Sequence, residues 1–504
     1  MRQRGYLVGI DLGTSGVRAV VLDSTGQLKG IGAQEYPINT PHPGWAEQDP
    51  DQWIAAATQA VRQALTQADI PSSHLAGLGL SGQMHTTVCL DRDGRVLRPA
   101  IVWADQRSEP QVARVYQQVG REHLAAWTAN PLATGFTLAN LLWLRDHEPE
   151  VYARIAHVLL PKDYLRYYLT GCIASEVTDA AGTSILDVVH RTWNRELLAA
   201  LQLDGAWLPA VHESAEVAGT VRAEAAAATG LPEGLPVVYG GSDQSMQAIG
   251  HGIIRRGLLS CSIGTGGQLL APVDTPLYDP QLRLHTYCHA LPGWWFVMAA
   301  TLSAGLSLNW WRHKVLGAES YAALADAAQQ VPIGADGLFF LPHLVGERTP
   351  HMDPAARGAF IGLALSHTRA HLTRALMEGV VFSLRAGLEL MLGLEISVDR
   401  VVASGGGTRH PLWLRLQADI FNRAIYQTQV EEAAAYGAAL LAGVGVGIYQ
   451  DVADACARTV RWHEQVIQPD PANAARYQQL FERYQRLYPA LRAEFSGWAT
   501  MKPL

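Results

Sequence analysis

Two short corners of the same design, half a chain apart, constrain this sequence more than any other feature. Tyr6–Ile10 reads as a buried strand, Asp11-Leu-Gly-Thr-Ser-Gly16 as a glycine corner, and Val17–Leu22 as the returning strand. Far downstream, Leu258–Ile263 leads into Gly264-Thr-Gly-Gly267 and then Gln268–Pro272. Gly13 and Gly264 stand 251 positions apart in a chain of 504 residues. That length exceeds one ordinary hydrophobic core. The repeat therefore predicts two domains, residues 1–252 and 253–504, each opened by its own hairpin.

The turn residues Asp23-Ser-Thr-Gly26 predict a third strand from about Gln27, completing a β-meander. Further on, strands run into glycine loops and then helices. Leu75–Leu80 ends at Ser81-Gly82, and Pro236–Tyr239 enters Gly240-Gly-Ser-Asp243 before a helix to Ile249. Val401–Ala403 enters Gly405-Gly-Gly407, followed by Leu412, Trp413, Leu416 and Ile420 at helical spacing. Units of this kind predict an α/β fold with ligands at the strand ends.

Composition narrows the partners. The formal net charge is −7 and no run of Lys and Arg occurs, so a nucleic-acid backbone has no basic face to bind. The five cysteines are scattered, without a C-x-x-C pair, which speaks against a zinc site or a disulfide framework. The opening residues Met1–Asp11 meet an acid before a signal-peptide core can form. Ala433–Tyr449 is uncharged and nearly all apolar, yet at the short limit for a membrane span; four glycines make it a buried helix with a glycine-rich exit. A cytoplasmic protein without a membrane segment is the expectation.

Glycine corners expose bare backbone N–H groups, and Thr14 and Ser15 add hydroxyls, which together suit phosphate. Asp11, at the entrance, suits the Mg2+ that accompanies ATP. Taken singly, each corner reads better as a plain turn; with both together and Gly405, Gly406 and Gly407 as a third loop, a nucleotide site becomes the better reading. No Walker A sequence is present, and no G-x-G-x-x-G follows a strand and opens a helix, which disfavours the two commonest nucleotide folds and a nicotinamide-dependent polyol dehydrogenase. Asp243, after two glycines at the mouth of a helix, reads either as a helix cap or as the base that takes a proton from a hydroxyl during phosphoryl transfer. Gly82-Gln-Met-His85 and Trp103-Ala-Asp-Gln-Arg107 carry the carboxylate, guanidinium, imidazole and aromatic groups that bind sugars, though His85 and Trp103 read as well as core residues.

Together these segments resemble the FGGY carbohydrate kinases, and among them the xylulokinase branch. The resemblance runs through Gly9–Val17, His42–Pro50, Gly82–His85, Leu160–Tyr164, Asp179–Thr183, Gly240–Gln244, Gly346–His351, Gly358–Leu363 and His371–Glu378. It implies a two-domain, actin-like (ribonuclease-H-like) fold with ATP and sugar in the interdomain cleft. It implies Asp243 as the catalytic base and Asp11 as an essential acid, the two carboxylates available to Mg2+. Met84, His85 and Asp105 are the implied sugar contacts. Gly13, Thr14, Ser15, Gly264, Thr265 and Gly266 fall in the phosphate loops. Gly305 and Asn309 resemble a nucleotide-contacting helix, and Gly405–Gly407 the adenosine loop.

The implied reaction is ATP-dependent phosphorylation of a ketopentose, D-xylulose to D-xylulose 5-phosphate. Alternatives are a family kinase for ribulose, a polyol or gluconate, and an actin-like ATPase without a sugar; family members also often form homodimers. Asn140 stands where the family usually has a lysine, and Ala104 where xylulokinases often have asparagine. Both departures lie in the sugar-binding half.

Overall fold

The computed structural model describes residues 5–317 and 320–500; the first four residues, part of the stretch read against a signal peptide, lie outside it. The first hairpin forms as its pattern demands, with β1 (Tyr6–Leu12) and β2 (Gly16–Asp23) antiparallel and β3 (Leu28–Glu35) following. β4 (Leu75–Gly82) lies parallel to β1 on its other side, and β5 (Pro236–Val238) lies parallel to β4.

The downstream sheet repeats this plan. β6 (Gly257–Ile263) and β7 (Gly267–Val273) form the antiparallel corner, after which the chain passes through β8 (His285–Cys288) to β9 (Trp295–Thr301), the neighbour of β7. β10 (Val398–Gly405) is parallel to β6, and β11 (Ile425–Gln427) is parallel to β10. The orders β3-β2-β1-β4-β5 and β9-β7-β6-β10-β11 thus match strand for strand and sense for sense. The half-chain spacing of the two glycine corners reflects this duplication.

Six helices position the site: α1 (Val177–Gly182), α2 (Asp243–Gly250), α3 (Gly305–Trp310), α4 (Arg369–Gly393), α5 (Pro411–Phe421) and α6 (Ala433–Gly445). The uncharged stretch supplies α6, a buried helix packed against β1, β4 and α2 rather than against the second sheet. Leu440 and Leu441 are fully buried there, each contributing about 1.5–3 kcal/mol of burial. The approach is close because Gly9 and Gly79 lack side chains: a Cβ at either would sit 1.9 Å from a carbonyl oxygen of α6. Among the described residues no helix is long and apolar enough to cross a membrane.

Candidate active site

Asp11 and Asp243 come together because parallel strands end together. In register, Asp11 of β1 faces Ser81 of β4, and Ser81 faces Gly241 of the short strand Gly241–Ser242, so Asp243 emerges one step beyond. Ser81 Oγ donates to Asp11 Oδ1 at 2.6 Å. Ser242 Oγ, not the Asp243 carboxylate, accepts the capping bond of α2, from the Ser245 N–H at 3.4 Å. Asp243 is the first residue of the helix, and its one hydrogen-bonding neighbour among the described residues is Gln244, at 2.7 Å. Burial, and then the Asp11 charge, push the Asp243 carboxyl up to about 7. Burial likewise raises Asp11 to about 6.

A buried charge network braces this strand end. Lys162 Nζ lies 2.6 Å from Asp163, 3.4 Å from Glu176 and 3.3 Å from Asp179, with no side-chain exposure in any of the four. Burial alone would favour neutral lysine, but the three carboxylates hold Lys162 above its ordinary pKa. Glu176 caps α1 and accepts from Thr178 Oγ1, and Thr178 Oγ1 in turn accepts from the Ser242 N–H at 2.7 Å. The chain thus reaches the residue before Asp243.

The second glycine corner opens on a pocket of about 650 Å³, lined by Gly264, Thr265, Gly305, Asn309, Gly406 and Gly407 among others. The Gly305 N–H donates to Gly264 O (2.8 Å), and the Ala304 and Leu306 N–H groups both donate to Thr265 O at 3.0 Å. The start of α3 is thereby clamped to the corner. Gly405 holds a φ of +71° and turns the third loop over Ile263. Gly266 and Gly405 stand behind the lining rather than in it. Tyr321, Arg409, His410 and Trp413 also line the pocket. Sequence reasoning missed these four, although Trp413 lay in the periodic helix it identified.

The first corner is held from three sides. Trp103 Nε1 donates to Thr14 Oγ1 at 2.8 Å, Gln48 Nε2 donates to Thr14 O at 2.7 Å, and Tyr36 Oη donates to Gly13 O. Ser15 is exposed at the tip.

Met84 and His85 follow β4 into a compact box. His85 has a φ of +68°, stacks on Phe136 with centroids 3.7 Å apart, and shares a hydrogen bond between Nδ1 and Gly182 O. Burial, with the Arg348 charge adding to it, pushes its imidazole down to about 3, so the ring is neutral and Nε2 is left as an acceptor. Met84 is 4% exposed and packs over Gly182. Arg348, from the downstream half of the chain, reaches this box, its guanidinium 5.7 Å from the Phe136 ring and 6.0 Å from the Trp103 ring.

Asp105 corrects an expectation. Implied as a sugar contact, it is fully buried inside its own loop, where its oxygens accept from the Ala46 N–H, the Arg107 N–H and the Arg107 guanidinium. Arg107 stacks 3.5 Å above Trp45 and also pairs with Glu47 at 2.7 Å. Asp105 orders the segment that carries Trp103, and no oxygen is left over for a ligand. Asn140 is buried too, donating to Thr87 Oγ1 and Gly135 O at 3.0 Å each.

Among the described residues no group of three or more His, Cys, Asp or Glu side chains could hold a metal ion. Two carboxylates with raised pKa values suit Mg2+ that arrives with phosphate oxygens, since that ion commonly takes only one or two protein carboxylates.

Comparison with known proteins agrees with this architecture. Residues 6–250 match the model for the N-terminal domain of the FGGY family of carbohydrate kinases, and residues 259–446 match that for its C-terminal domain. The chain is 37% identical over 483 residues to the xylulose kinase of Bacillus subtilis (strain 168), covering 96% of each chain. It is 38% identical over 485 residues to that of Escherichia coli (strain K12), covering 96% of this chain and 99% of the relative. The crystal structure of xylulose kinase from Rhodospirillum rubrum superposes with a TM-score of 0.90 at 33% identity, over 97% of this chain and 100% of that one. The crystal structure of gluconate kinase from Lactobacillus acidophilus gives 0.93 at 28% identity, over 98% and 100%. With the duplicated actin-like sheets, both domain matches and relatives aligned over nearly its whole length, this chain belongs to the FGGY family of carbohydrate kinases.

Proposed function

We propose that this chain transfers the γ-phosphoryl group of ATP to the primary hydroxyl of a ketopentose, converting D-xylulose to D-xylulose 5-phosphate, with Asp243 as general base. One observation carries the reading: Asp243 stands at a strand end beside Asp11, at the start of α2, with a carboxyl that titrates near neutrality. A base with a pKa of about 7 is substantially ionised at working pH and basic enough to take the hydroxyl proton as the P–O bond forms. The relatives from Bacillus subtilis and Escherichia coli support the acceptor, since both align over nearly the whole chain and are named xylulose kinases.

In this scheme the adenosine end of ATP occupies the pocket between α3 and α5, lined by Gly305, Asn309, Gly406 and Gly407. The phosphates run along Thr265 toward Thr14 and Ser15, where loop N–H groups and hydroxyls hold them. Asp11 and Asp243 would hold Mg2+, which offsets the negative charge of the phosphates. The sugar lies along Met84 and His85, with its terminal hydroxyl toward Asp243. The neutral His85 Nε2 accepts a hydrogen bond from a sugar hydroxyl. Asp243 then takes the proton of the attacking hydroxyl, the new O–P bond forms, and ADP leaves. We place the reaction in the cytoplasm, where ATP is abundant and where the five unpaired cysteines are at home.

The test is a panel of acceptors in a coupled ADP-release assay, comprising D-xylulose, D-ribulose, L-ribulose, xylitol and gluconate. D-xylulose should give the highest kcat/KM. A higher value for gluconate would move the substrate to an acid, as in the L. acidophilus gluconate kinase by name. Sugar-independent ADP release at the same rate would replace the kinase with a plain ATPase.

A further inference from the structure

A second cavity, of about 440 Å³, shares no lining residue with the pocket at the second glycine corner. It lies where α4, the end of α5 and the start of a last helix, α7 (Pro471–Thr500), come together. Cavities that hold small ligands measure about 300–1,000 Å³, so this one is large enough. Arg385, Leu388, Glu389 and Leu392 all line it. Their steps of three and four residues place them on one face of α4, which forms one wall.

Arg385 is the buried cation of that wall, with 7% of its surface exposed. Its Nε donates to Glu389 Oε1 at 3.2 Å, its Nη2 donates to Gln478 Oε1, and its guanidinium lies 4.4 Å from the centre of the Phe481 ring. These contacts tie Arg385 to its own helix and to α7, yet they leave one nitrogen unused. Nη1 is buried and has no hydrogen-bond partner among the described residues. A buried donor without an acceptor is costly, the more so on a charged group.

A second guanidinium lines the same cavity. Asn422 ends α5 in the left-handed conformation, with a φ of +50°, and the chain turns there to Arg423. Arg423 is held by two carbonyls, its Nε donating to Val398 O and its Nη1 to Asn422 O, each at 2.9 Å. Those bonds fix the guanidinium plane and leave Nη2 without a hydrogen bond among the described residues. The lining thus sets two cations against one carboxylate, Glu389, whose side chain is 40% exposed. Two guanidinium groups suit a doubly charged, many-oxygen anion better than a single carboxylate does. The cavity also extends past them, over Leu388 and Phe421, and carries polar groups on Asn422 and Gln478.

We propose that this cavity is a second ligand site, which binds the phosphate monoester of a small polyhydroxylated molecule. Its phosphate oxygens accept from Arg385 Nη1 and Arg423 Nη2, and its hydroxyls meet Glu389 and Asn422. The site stands apart from the acceptor named above, and neither reading depends on the other.

The experiment is calorimetric titration of D-ribose 5-phosphate into protein saturated with Mg2+ and a non-hydrolysable ATP analogue, with D-ribose and inorganic phosphate titrated in parallel. Wild type should bind one equivalent of the ester, inorganic phosphate at least about tenfold more weakly, and D-ribose not at all. Arg423→Gln removes the less buried cation and should weaken ester binding by roughly ten- to a hundredfold, the scale of a charge-assisted hydrogen bond. Because Arg385 also braces α7, its replacement can disturb folding, so a second variant avoids both arginines. Ala475 is exposed on α7 and lines the cavity. Ala475→Glu adds a carboxylate there and should weaken the ester at least about tenfold by like-charge repulsion, with ATP-dependent activity at its wild-type level. No binding by wild type would overturn the proposal. Ester binding that both variants keep at full strength would also overturn it, by placing the ligand in the catalytic cleft. Equal affinity for inorganic phosphate and the ester, or binding of D-ribose itself, would overturn the assignment to a phosphate monoester.

Discussion

Trp103 Nε1 donates to Thr14 Oγ1 at 2.8 Å, across 89 positions of sequence. The indole of the segment after Ile101 thereby fixes the hydroxyl of the first glycine corner, so the proposed sugar side and the proposed phosphate side share one hydrogen bond.

Trp103→Phe keeps the ring and removes that donor. A neutral hydrogen bond is worth about 0.5–1.5 kcal/mol. We expect kcat/KM for ATP to fall about three- to tenfold in steady-state assays, with the melting temperature close to wild type.

Gly305 admits no side chain where it meets the second corner, because a Cβ would lie 2.4 Å from Gly264 O. Gly305→Ala must push the corner away from α3. The KM for ATP should rise by at least about tenfold while the KM for sugar changes by less than about threefold, a split that separates a local loop displacement from global damage.

The two raised carboxyls make a prediction about stability. Asp243 and Asp11 titrate at about 7 and about 6 in the folded protein, above the ordinary carboxylate value of 3.8. Their protonated forms are favoured by folding, so the stability they contribute is complete below about pH 4 and is lost as pH rises through 6 to 7. Ligand-free Asp243→Asn should therefore melt about 2–5 °C above wild type at pH 8 and show a much smaller difference at pH 5. A gain at pH 5 equal to that at pH 8 would contradict the raised pKa.

Among the described residues Lys162 is the one cation paired with Glu176 and Asp179, and it shares Asp163 with Arg166. Lys162→Met leaves buried carboxylates uncompensated, at a cost of about 3–5 kcal/mol. Urea denaturation should show that loss, and the activity that remains should fall too, because the network reaches Ser242 through Thr178.

Much of this was legible in the sequence, and the reasons differ from residue to residue. Both glycine corners and the Gly240-Gly-Ser-Asp243 turn are local patterns, so strand ends and the placement of Asp243 followed from short-range chemistry. Asp105 was not legible. Whether its carboxylate faces a ligand or its own loop depends on Arg107 and on the Ala46 N–H, and the latter lies 59 positions away. Arg348 lies within the Gly346–His351 segment without a role that sequence can show, because only folding brings Trp103 and Phe136 beside it. The packing of α6 on the first sheet was likewise invisible: its apolar composition announced burial, while the surface that buries it is set by Gly9 and Gly79.

The most direct test is to incubate purified protein with ATP and D-xylulose, with Asp243→Asn in parallel, and to follow ADP enzymatically and the sugar ester by ³¹P NMR. The account predicts one D-xylulose 5-phosphate per ADP, and a loss of about 10²-fold or more in kcat for Asp243→Asn with ATP binding retained. ADP without sugar phosphate, or a variant keeping more than about a tenth of wild-type kcat, would contradict it.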